Sequence, residues 1–368
     1  MSPAAPRALA AVAVKARQTE VREFALPEIP ADAGLLRIEA TGICGSDWGM
    51  YLNERPGPRI LGHEMIGIVE RVGDVARSRW GVKEGDRVAL EEYLPCGHCE
   101  YCRTGEYRSC LETDARVHGG IRYGSTPLTV APALWGGYSQ YLYMHPRTVV
   151  HHVPAGVPTN IAAMALPIGN GFQWAWLDAG AGPGKTVVVQ GPGQQGLGCV
   201  IASSVVGADK IIVTGLARDE RRLAVAKELG AHHAIAVDRE NLLDEVKRLT
   251  GGRMADIVID ASGGGPEIVN ASIALLRKRG VLVIAARKGP IDGFDLRQIV
   301  DKQVVLRGTR GHSFEAVERA LGVMAAGRFP LERMSSHVVG LAEIDRALRM
   351  VGGETEERSV HVTVAPWS

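Results

Sequence analysis

The sequence lacks the features that would direct it to a charged or lipid partner. Its 42 Lys and Arg residues nearly balance its 41 Asp and Glu residues, so no overall field attracts nucleic acid or an anionic membrane. No stretch reaches the roughly 18 uninterrupted apolar residues that a membrane helix requires. The first residues lack the charged segment, long apolar core and cleavage site of a secretion signal. We therefore expect a cytoplasmic protein that binds neither nucleic acid nor membrane.

Cysteine is also scarce, with six residues in the chain, but four of them are clustered: Cys96, Cys99, Cys102 and Cys110. Four thiolates this close together can surround one tetrahedral Zn²⁺, and a closed site of this kind is structural. An iron–sulfur cluster and redox disulfides are the alternatives, and the cluster would need separate support. His98 lies inside the loop, and we expect it to be a bystander. The predicted zinc lobe spans residues 92–112.

The 368 residues are enough for two domains. Residues 1–155 are rich in short β-strand patterns bounded by Gly, Pro and Asp. From residue 156 to 306, continuous apolar strands alternate with helical segments, which predicts a parallel sheet covered on both faces. Residues 307–368 are assigned to the first domain, and the alternation in Arg358–Val364 predicts an edge strand that could pair back with it.

A glycine-rich turn joins the predicted strand Thr186–Gln190 to the predicted helix Leu197–Val206. The first glycine permits a tight turn, the second lets the backbone approach a pyrophosphate, and the third lets helix and strand pack closely. The helix N-terminus then offers N–H groups to the anion. The turn therefore predicts a dinucleotide site, formed by Gly191, Pro192, Gly193, Gln194, Gln195 and Gly196.

The choice between NAD and NADP depends on the end of the second predicted strand of this domain. An acidic residue there typically holds the ribose of NAD, whereas a nearby Arg accommodates the 2′-phosphate of NADP. No acid directly ends the strand, and Arg218 and Arg222 follow it. The pattern slightly favours NADP and leaves NAD open.

A second set of metal-binding residue types lies near the N-terminus. Cys44, Ser46 and Asp47 occur in the segment GICGSD, and His63 and Glu64 occur in GHE. A thiolate, an imidazole and a carboxylate from two loops can bind zinc and leave one position for water or substrate.

In this order, GICGSD, GHE, the four-cysteine lobe and GPGQQG resemble the zinc-dependent medium-chain dehydrogenase family over essentially the whole chain. The resemblance implies an α/β fold: a Rossmann doubly wound parallel sheet plus a GroES-like β-barrel catalytic domain. It implies that Cys44, His63 and Glu64 hold a catalytic zinc and that Ser46 passes the substrate proton onward. Asp47 would orient the zinc-bound imidazole, as physics also predicts. A homodimer or homotetramer is implied as well.

Three positions depart from the family pattern. Members usually supply a further zinc-site Cys or Glu before the Rossmann glycines, but those places hold Asn170 and Leu166. Asn170 is not a strong zinc ligand, so the site is expected to use Cys44, His63 and Glu64 with water. Some members carry a His soon after the Ser or Thr of the proton relay, whereas this chain has Trp48, Gly49 and Met50 there, so proton release would need water or another group.

Four tryptophans are candidates to line a substrate cleft, although core packing is the more frequent role of a tryptophan: Trp48, Trp135, Trp174 and Trp176.

The function that follows is a zinc-dependent oxidoreductase. It would transfer a hydride between a small alcohol or polyol, or its carbonyl product, and a nicotinamide cofactor. Two alternatives remain open from the sequence. One is a zinc-poor NADPH-dependent reductase of an activated C=C or C=N bond on the same fold. The other is a non-catalytic NAD(P)H-binding protein.

Overall fold

The computed structural model describes residues 6–114, 117 and 119–368. The chain forms two compact units. The first unit contains Met1–Leu166, Met324–Ala326 and Ser335–Ser368, and the second contains Pro167–Val323 and Gly327–Met334. The domain boundaries at residues 155 and 306 stay a prediction. Among the described residues, no helix combines the length and the apolarity that crossing a membrane would require.

The strands are, in chain order, β1 (Arg7–Lys15), β2 (Gln18–Ala25), β3 (Gly34–Gly42), β4 (Arg59–Ile60), β5 (Glu64–Val72), β6 (Arg87–Leu90), β7 (Tyr141–Met144), β8 (Val150–His152), β9 (Thr186–Gln190), β10 (Lys210–Gly215), β11 (His233–Ala236), β12 (Ala255–Asp260), β13 (Leu276–Ile284), β14 (Val305–Gly308), β15 (Ser335–Val339) and β16 (His361–Val364). The α-helices of the described residues are Gly45–Leu52, Asp74–Trp80, Glu100–Arg103, Thr159–Ala162, Ala165–Gly171, Gln194–Val205, Glu220–Glu228, Leu242–Leu249, Glu267–Leu275, Leu296–Lys302, Phe314–Ala326 and Ile344–Val351. A π-helix covers Phe172–Asp178, and short 3₁₀-helices cover Tyr107–Ser109, Ala217–Asp219, Leu331–Arg333 and Leu341–Glu343.

The described residues of the first unit form two sheets. One has the strand order β2-β1-β4, and the other has the order β15-β16-β3-β5-β6-β8, with β7 also paired to β3. The central strand β3 is largely apolar and mostly buried, because such a strand has neighbours on both edges and packing on both faces. Its C-terminal end and the start of β5 lie side by side, since Gly42 pairs with Glu64. This pairing brings the two predicted metal-binding segments together.

The last strand of the chain returns to this sheet, as the sequence suggested. Thr363 of β16 pairs with Gly42 of β3 in antiparallel fashion. The prediction of an edge strand was wrong, because β15 pairs with the other side of β16 in parallel. His361 and Thr363 are consequently buried on an interior strand.

The second unit is one parallel sheet with the strand order β11-β10-β9-β12-β13-β14. The first strand of this unit, β9, therefore lies in the middle of the sheet. The next two strands, β10 and β11, extend the sheet in one direction, and β12, β13 and β14 extend it in the other. This is the strand order of a Rossmann fold, whose ligands bind at the switch between the first and fourth strands, here β9 and β12. The strand Thr186–Gln190 lies where the sequence predicted it, and the fold class is confirmed.

Candidate functional site

The four clustered cysteines converge at one point of the first unit. The sulfurs of Cys96, Cys99, Cys102 and Cys110 all lie within 4.8 Å of one another, and all four are free thiols. The backbone N–H of Cys96 donates to the sulfur of Cys110 at 3.4 Å, and that of Cys99 donates to the sulfur of Cys96 at 3.4 Å. Such donors stabilise thiolates. The arrangement fits a tetrahedral zinc ion with no position left for substrate.

His98 is directed to a carboxylate beside this cluster. Its Nε2 lies 2.6 Å from Glu112 Oε1, and both side chains are exposed. With Cys96 they form a further group of possible ligand atoms. Four thiolates would already complete a tetrahedral set, and the bystander role of His98 stays a prediction.

A buried polar network attaches the lobe to the first unit. The Tyr107 hydroxyl, between the last two cysteines, donates to Glu91 Oε1. The same carboxylate oxygen lies 3.1 Å from Nε2 of the buried His151. Burial and the charge of Glu91 raise the pKa of Tyr107 well above its usual value, so the hydroxyl keeps its proton and remains a donor.

The second metal-binding set also converges. Ligand atoms of Cys44, His63 and Glu64 lie within 4.8 Å of one another. Cys44 is the N-cap of the helix Gly45–Leu52, and Glu64 begins β5. The three groups are a soft thiolate, an imidazole and a carboxylate, which is a donor set that suits Zn²⁺ with one open coordination position.

Asp47 is fully buried and contacts two of these three residues, Cys44 and His63. Its Oδ2 accepts the Cys44 backbone N–H at 3.0 Å, and its Oδ1 lies 3.2 Å from His63 Nδ1. Oδ1 also accepts the Gly62 N–H at 3.4 Å. A carboxylate on Nδ1 fixes the ring orientation and leaves Nε2 as the ligand atom. Nε2 faces the opposite side, where Ser46 Oγ lies 3.4 Å away.

Tyr138 is a supporting residue that the sequence analysis missed. Its hydroxyl donates to Asp47 Oδ2 at 2.9 Å, across 91 residues of sequence. Burial raises its pKa well above the usual value, and so do the charges of Asp47 and Glu64. Tyr138 therefore stays a donor. A tyrosine within a β-strand pattern carries no local signal for this contact.

The electrostatics of these side chains reflect their burial. Burial lowers the pKa of His63, but the charges of Asp47 and Glu92 and the hydrogen bond to Asp47 raise it well above its usual value. Burial and the charge of Glu64 raise the pKa of Cys44. The site thus concentrates buried negative charge around one imidazole, which is an environment that a divalent cation neutralises.

Asn170 and Leu166 occupy the two places where family members carry a further zinc ligand, and their surroundings differ. Asn170 belongs to the second unit, where its Nδ2 donates to Gln195 Oε1 at 2.7 Å and its Oδ1 lies 2.9 Å from His312 Nδ1. Both polar atoms of the Asn170 amide therefore take part in hydrogen bonds within the second unit. Leu166 is a buried apolar residue.

The glycine-rich turn has the geometry that its sequence requires. Gly191 has φ +96°, and an added Cβ would lie 2.9 Å from the Cα of Ser262. An added Cβ at Gly196 would collide with the carbonyl oxygen of Gly191. Gly193 is the N-cap of the helix Gln194–Val205, and nothing lies within 4 Å of its added Cβ. The open side at Gly193 and the helix N-terminus suit a pyrophosphate.

The remaining residues of the turn are packed around it. Pro192 lies over Gly215 at the end of β10, since an added Cβ at Gly215 would lie 2.8 Å from Pro192 Cγ. Gln194 is buried, and Gln195 accepts the hydrogen bond from Asn170. These contacts fix the turn beside the first two strands of the sheet.

The segment after β10 contains exposed arginine side chains. The Ala217 N–H donates to Asp238 Oδ1 at 2.7 Å, and Arg222 lies 3.5 Å from Asp219 Oδ1. The Arg218 side chain is exposed, and no hydrogen bond or ion pair joins it to another described residue. Arg218 is thus available at the place where the sequence predicted recognition of the cofactor ribose.

The four tryptophans have different surroundings. Trp135 is buried in the core of the first unit beside Tyr123 and Tyr143, so its suggested place in a substrate cleft was wrong. Trp48 is half-buried and packs on Tyr51 at 5.7 Å between ring centres. In the second unit, the Trp174 indole N–H donates to Gly311 O at 3.0 Å. Trp176 packs against the Arg319 guanidinium at 5.2 Å.

Comparisons with known proteins agree with this geometry. Residues 30–155 match the alcohol dehydrogenase GroES-like domain family, and residues 196–326 match the zinc-binding dehydrogenase family. A protein of Mycobacterium tuberculosis named "probable alcohol dehydrogenase" is 36% identical over 347 residues, covering 92% of this chain and 93% of its own. Sorbitol dehydrogenase of Bacillus subtilis is 33% identical over 281 residues, covering 75% and 74%.

Solved structures show the same fold. Alcohol dehydrogenase of Thermotoga maritima superimposes with a TM-score of 0.86 at 26% identity, covering 98% of this chain and 100% of its own. The enzyme of Thermus sp. ATN1 gives 0.83 at 26% identity, covering 97% and 99%. These relatives do not favour the C=C or C=N reductase or the non-catalytic protein. The chain therefore belongs to the zinc-dependent medium-chain dehydrogenase family and is an oxidoreductase of the alcohol and polyol dehydrogenase type.

Proposed function

We propose that the enzyme oxidises a small alcohol or polyol reversibly at a zinc ion held by Cys44, His63 and Glu64. The convergence of these three ligand types within 4.8 Å carries the proposal. The buried Asp47 supports it, because it fixes both the Cys44 backbone and the His63 ring. The polyol class is supported by the relatives named sorbitol dehydrogenase and D-xylulose reductase.

The bound groups supply two kinds of chemistry: zinc lowers the pKa of an alcohol, and the nicotinamide exchanges a hydride. The residues of the chain supply geometry and proton movement. Asp47 keeps the proton of His63 on Nδ1, so that Nε2 is available as a ligand. Ser46 Oγ lies on the Nε2 side of the ring and is placed to accept the substrate proton. Since no His closely follows Ser46 in the sequence, water or another group would take the proton from Ser46.

A substrate panel tests this proposal. Alcohols, polyols and their carbonyl partners are assayed with NAD(H) and NADP(H), alongside the zinc content of each preparation. Turnover of an alcohol–carbonyl pair by protein with two zinc ions per chain is the expected result. Turnover only of activated C=C or C=N bonds, or only one zinc ion per chain, would contradict it.

For the cofactor we propose NADP. The exposed Arg218, which makes no hydrogen bond or ion pair within the described part of the chain, supports this choice, since a guanidinium pairs well with a phosphate. No acidic residue occurs in the segment 215–217 that ends the strand, and the nearby carboxylates of Asp219 and Asp238 already accept the backbone N–H groups of Leu216 and Ala217.

Arg218→Ala is therefore expected to raise the KM for NADP by roughly 10-fold to 100-fold, the value of a charge-assisted hydrogen bond of about 1.5–3 kcal/mol. The KM for NAD should change by less than about threefold, since NAD has no 2′-phosphate. Steady-state kinetics with both cofactors measure this. Lys227→Ala removes another exposed cation of the next helix and should leave both KM values unchanged. An equal rise for NAD and NADP would count against phosphate recognition by Arg218.

We also propose a cytoplasmic homodimer or homotetramer. Six free thiols suit a reducing compartment. The strand β14 is an open edge of the second unit's sheet, and its Val305 is 49% exposed. On the neighbouring helix Leu296–Lys302, Leu296 and Val300 are 62% and 72% exposed and lie four residues apart, hence on one face. Exposed apolar residues beside an open strand edge suit association with a second copy.

Val300→Glu is expected to shift the protein toward the monomer, because it places a charge in this apolar surface. Light scattering coupled to size-exclusion chromatography over a range of concentrations measures the mass. Val75→Glu is the matched control, since Val75 is another exposed helical valine, in the first unit. A monomeric wild-type protein, or an unchanged mass for Val300→Glu, would contradict the proposed interface.

A further inference from the structure

The sheet face at the candidate zinc site includes a histidine that the mechanism above does not use. The strands β16, β3 and β5 are neighbours, with Thr363 opposite Gly42 and Gly42 opposite Glu64. Successive side chains of a strand point to opposite faces. His361, two residues before Thr363, therefore shares the face of Thr363 and Glu64.

His361 is deeply buried and incompletely hydrogen-bonded. The residue is only 1% exposed. The ring Nδ1 lies 3.3 Å from Thr363 Oγ1, but Nε2 has no hydrogen-bond partner among the described residues. Buried polar atoms are normally satisfied, so an orphan of this kind calls for a ligand or an alternative partner.

Gly42 brings this orphan atom next to Glu64. A Cβ added to Gly42 would lie 2.5 Å from Glu64 Oε2 and 2.8 Å from His361 Nε2. Both atoms therefore border the same small space above the Gly42 Cα, which any other residue would fill. The third atom that borders this space is the carbonyl oxygen of Ala163, 3.2 Å from the added Cβ.

We propose that His361 is a positioning residue for Glu64, whose carboxylate accepts a hydrogen bond from His361 Nε2 when zinc is bound. The inference rests on the proposed ligand set. A carboxylate has two oxygens, so one can face the metal while the other accepts the N–H. Thr363 Oγ1 at Nδ1 can supply a hydroxyl proton to that nitrogen, which leaves the ring proton on Nε2.

This contact would have a defined effect. Glu64 and the Cys44 thiolate are like charges close together in a buried site, so a hydrogen bond donated to the carboxylate would stabilise it there. Hydrogen-bonded partners of ligating carboxylates typically change metal affinity by about 10-fold to 100-fold. His361 thus sets how firmly the catalytic zinc is held.

Metal competition with a fluorescent zinc chelator tests the proposal. The catalytic-site ion is identified as the ion that Cys44→Ser lacks. His361→Leu, which has no donor, is expected to weaken binding of this ion by about 10-fold to 100-fold, and His361→Gln, which keeps a donor, by less than about threefold. In cobalt-substituted protein, the visible absorption of this ion should shift in His361→Leu and stay unchanged in His361→Gln. His361→Met replaces His361→Leu if the latter does not fold.

The double variant with Glu64→Gln separates positioning from general packing. If His361 acts through Glu64, His361→Leu should weaken zinc binding further by less than about threefold in the Glu64→Gln background. Full additivity, or unchanged affinity in His361→Leu alone, would overturn the inference and leave the ligand set intact. Retention of two zinc ions by Cys44→Ser would instead overturn the ligand set, and the inference with it.

Discussion

Cys44→Ser is expected to lower kcat/KM for alcohol oxidation about a thousandfold or more and to reduce the zinc content from two ions to one per chain. The thiolate is the softest of the three groups that converge within 4.8 Å, and without it the zinc ion is lost or weakly held. Losing a Lewis acid removes several kcal/mol of transition-state stabilisation, and every 1.36 kcal/mol or so corresponds to a tenfold change in rate.

Cofactor binding distinguishes this outcome from general damage. The glycine turn belongs to the second unit and Cys44 to the first, so titration with NADPH should give an unchanged Kd. Cys199→Ser is the matched control, because Cys199 is buried but belongs to neither of the two proposed zinc sites. It should keep both zinc ions. Full activity of Cys44→Ser after loss of one zinc ion would refute the catalytic role.

Cys110→Ser is expected to remove the other zinc ion and to lower Tm by roughly 10 °C. A structural zinc site contributes directly to folding free energy, and in a chain of this size each kcal/mol corresponds to about 2–4 °C or less. The effect should reach beyond the lobe, because Tyr107 connects it to the buried Glu91 and His151. Differential scanning calorimetry and metal analysis measure the two quantities.

The control is again Cys199→Ser, which replaces a buried thiol without touching a cluster. It should lower Tm by only a few degrees, as expected for a polar substitution in a core. Equal shifts in Cys110→Ser and Cys199→Ser, or two zinc ions retained by Cys110→Ser, would mean that the four cysteines do not hold a structural ion.

Local features of both units could be predicted from the sequence. The turn at Gly191–Gly196 was recognisable because its constraints act within six neighbouring residues, between a strand and a helix. The four cysteines were recognisable for the same reason, since their spacing alone permits convergence. The meeting of Cys44 with His63 followed from the family resemblance, and the pairing of Gly42 with Glu64 gives its physical basis.

Contacts between distant segments could not be predicted in this way. Tyr138 reaches Asp47 from 91 residues away, and a tyrosine in an alternating strand has no pattern that marks its partner. The sequence of the last strand predicted an edge strand, because the sequence does not show that β15 pairs with its free side. His361 became a candidate only when the sheet placed its unsatisfied nitrogen beside Glu64.

An anomalous difference map collected at the zinc absorption edge tests most directly whether Cys44 and His63 hold a catalytic metal. We expect two peaks per chain. One should lie among the four cysteines, and the other about 2.3 Å from Cys44 Sγ and about 2.0–2.1 Å from His63 Nε2. A single peak confined to the four-cysteine lobe, in crystals of active enzyme, would contradict the catalytic zinc.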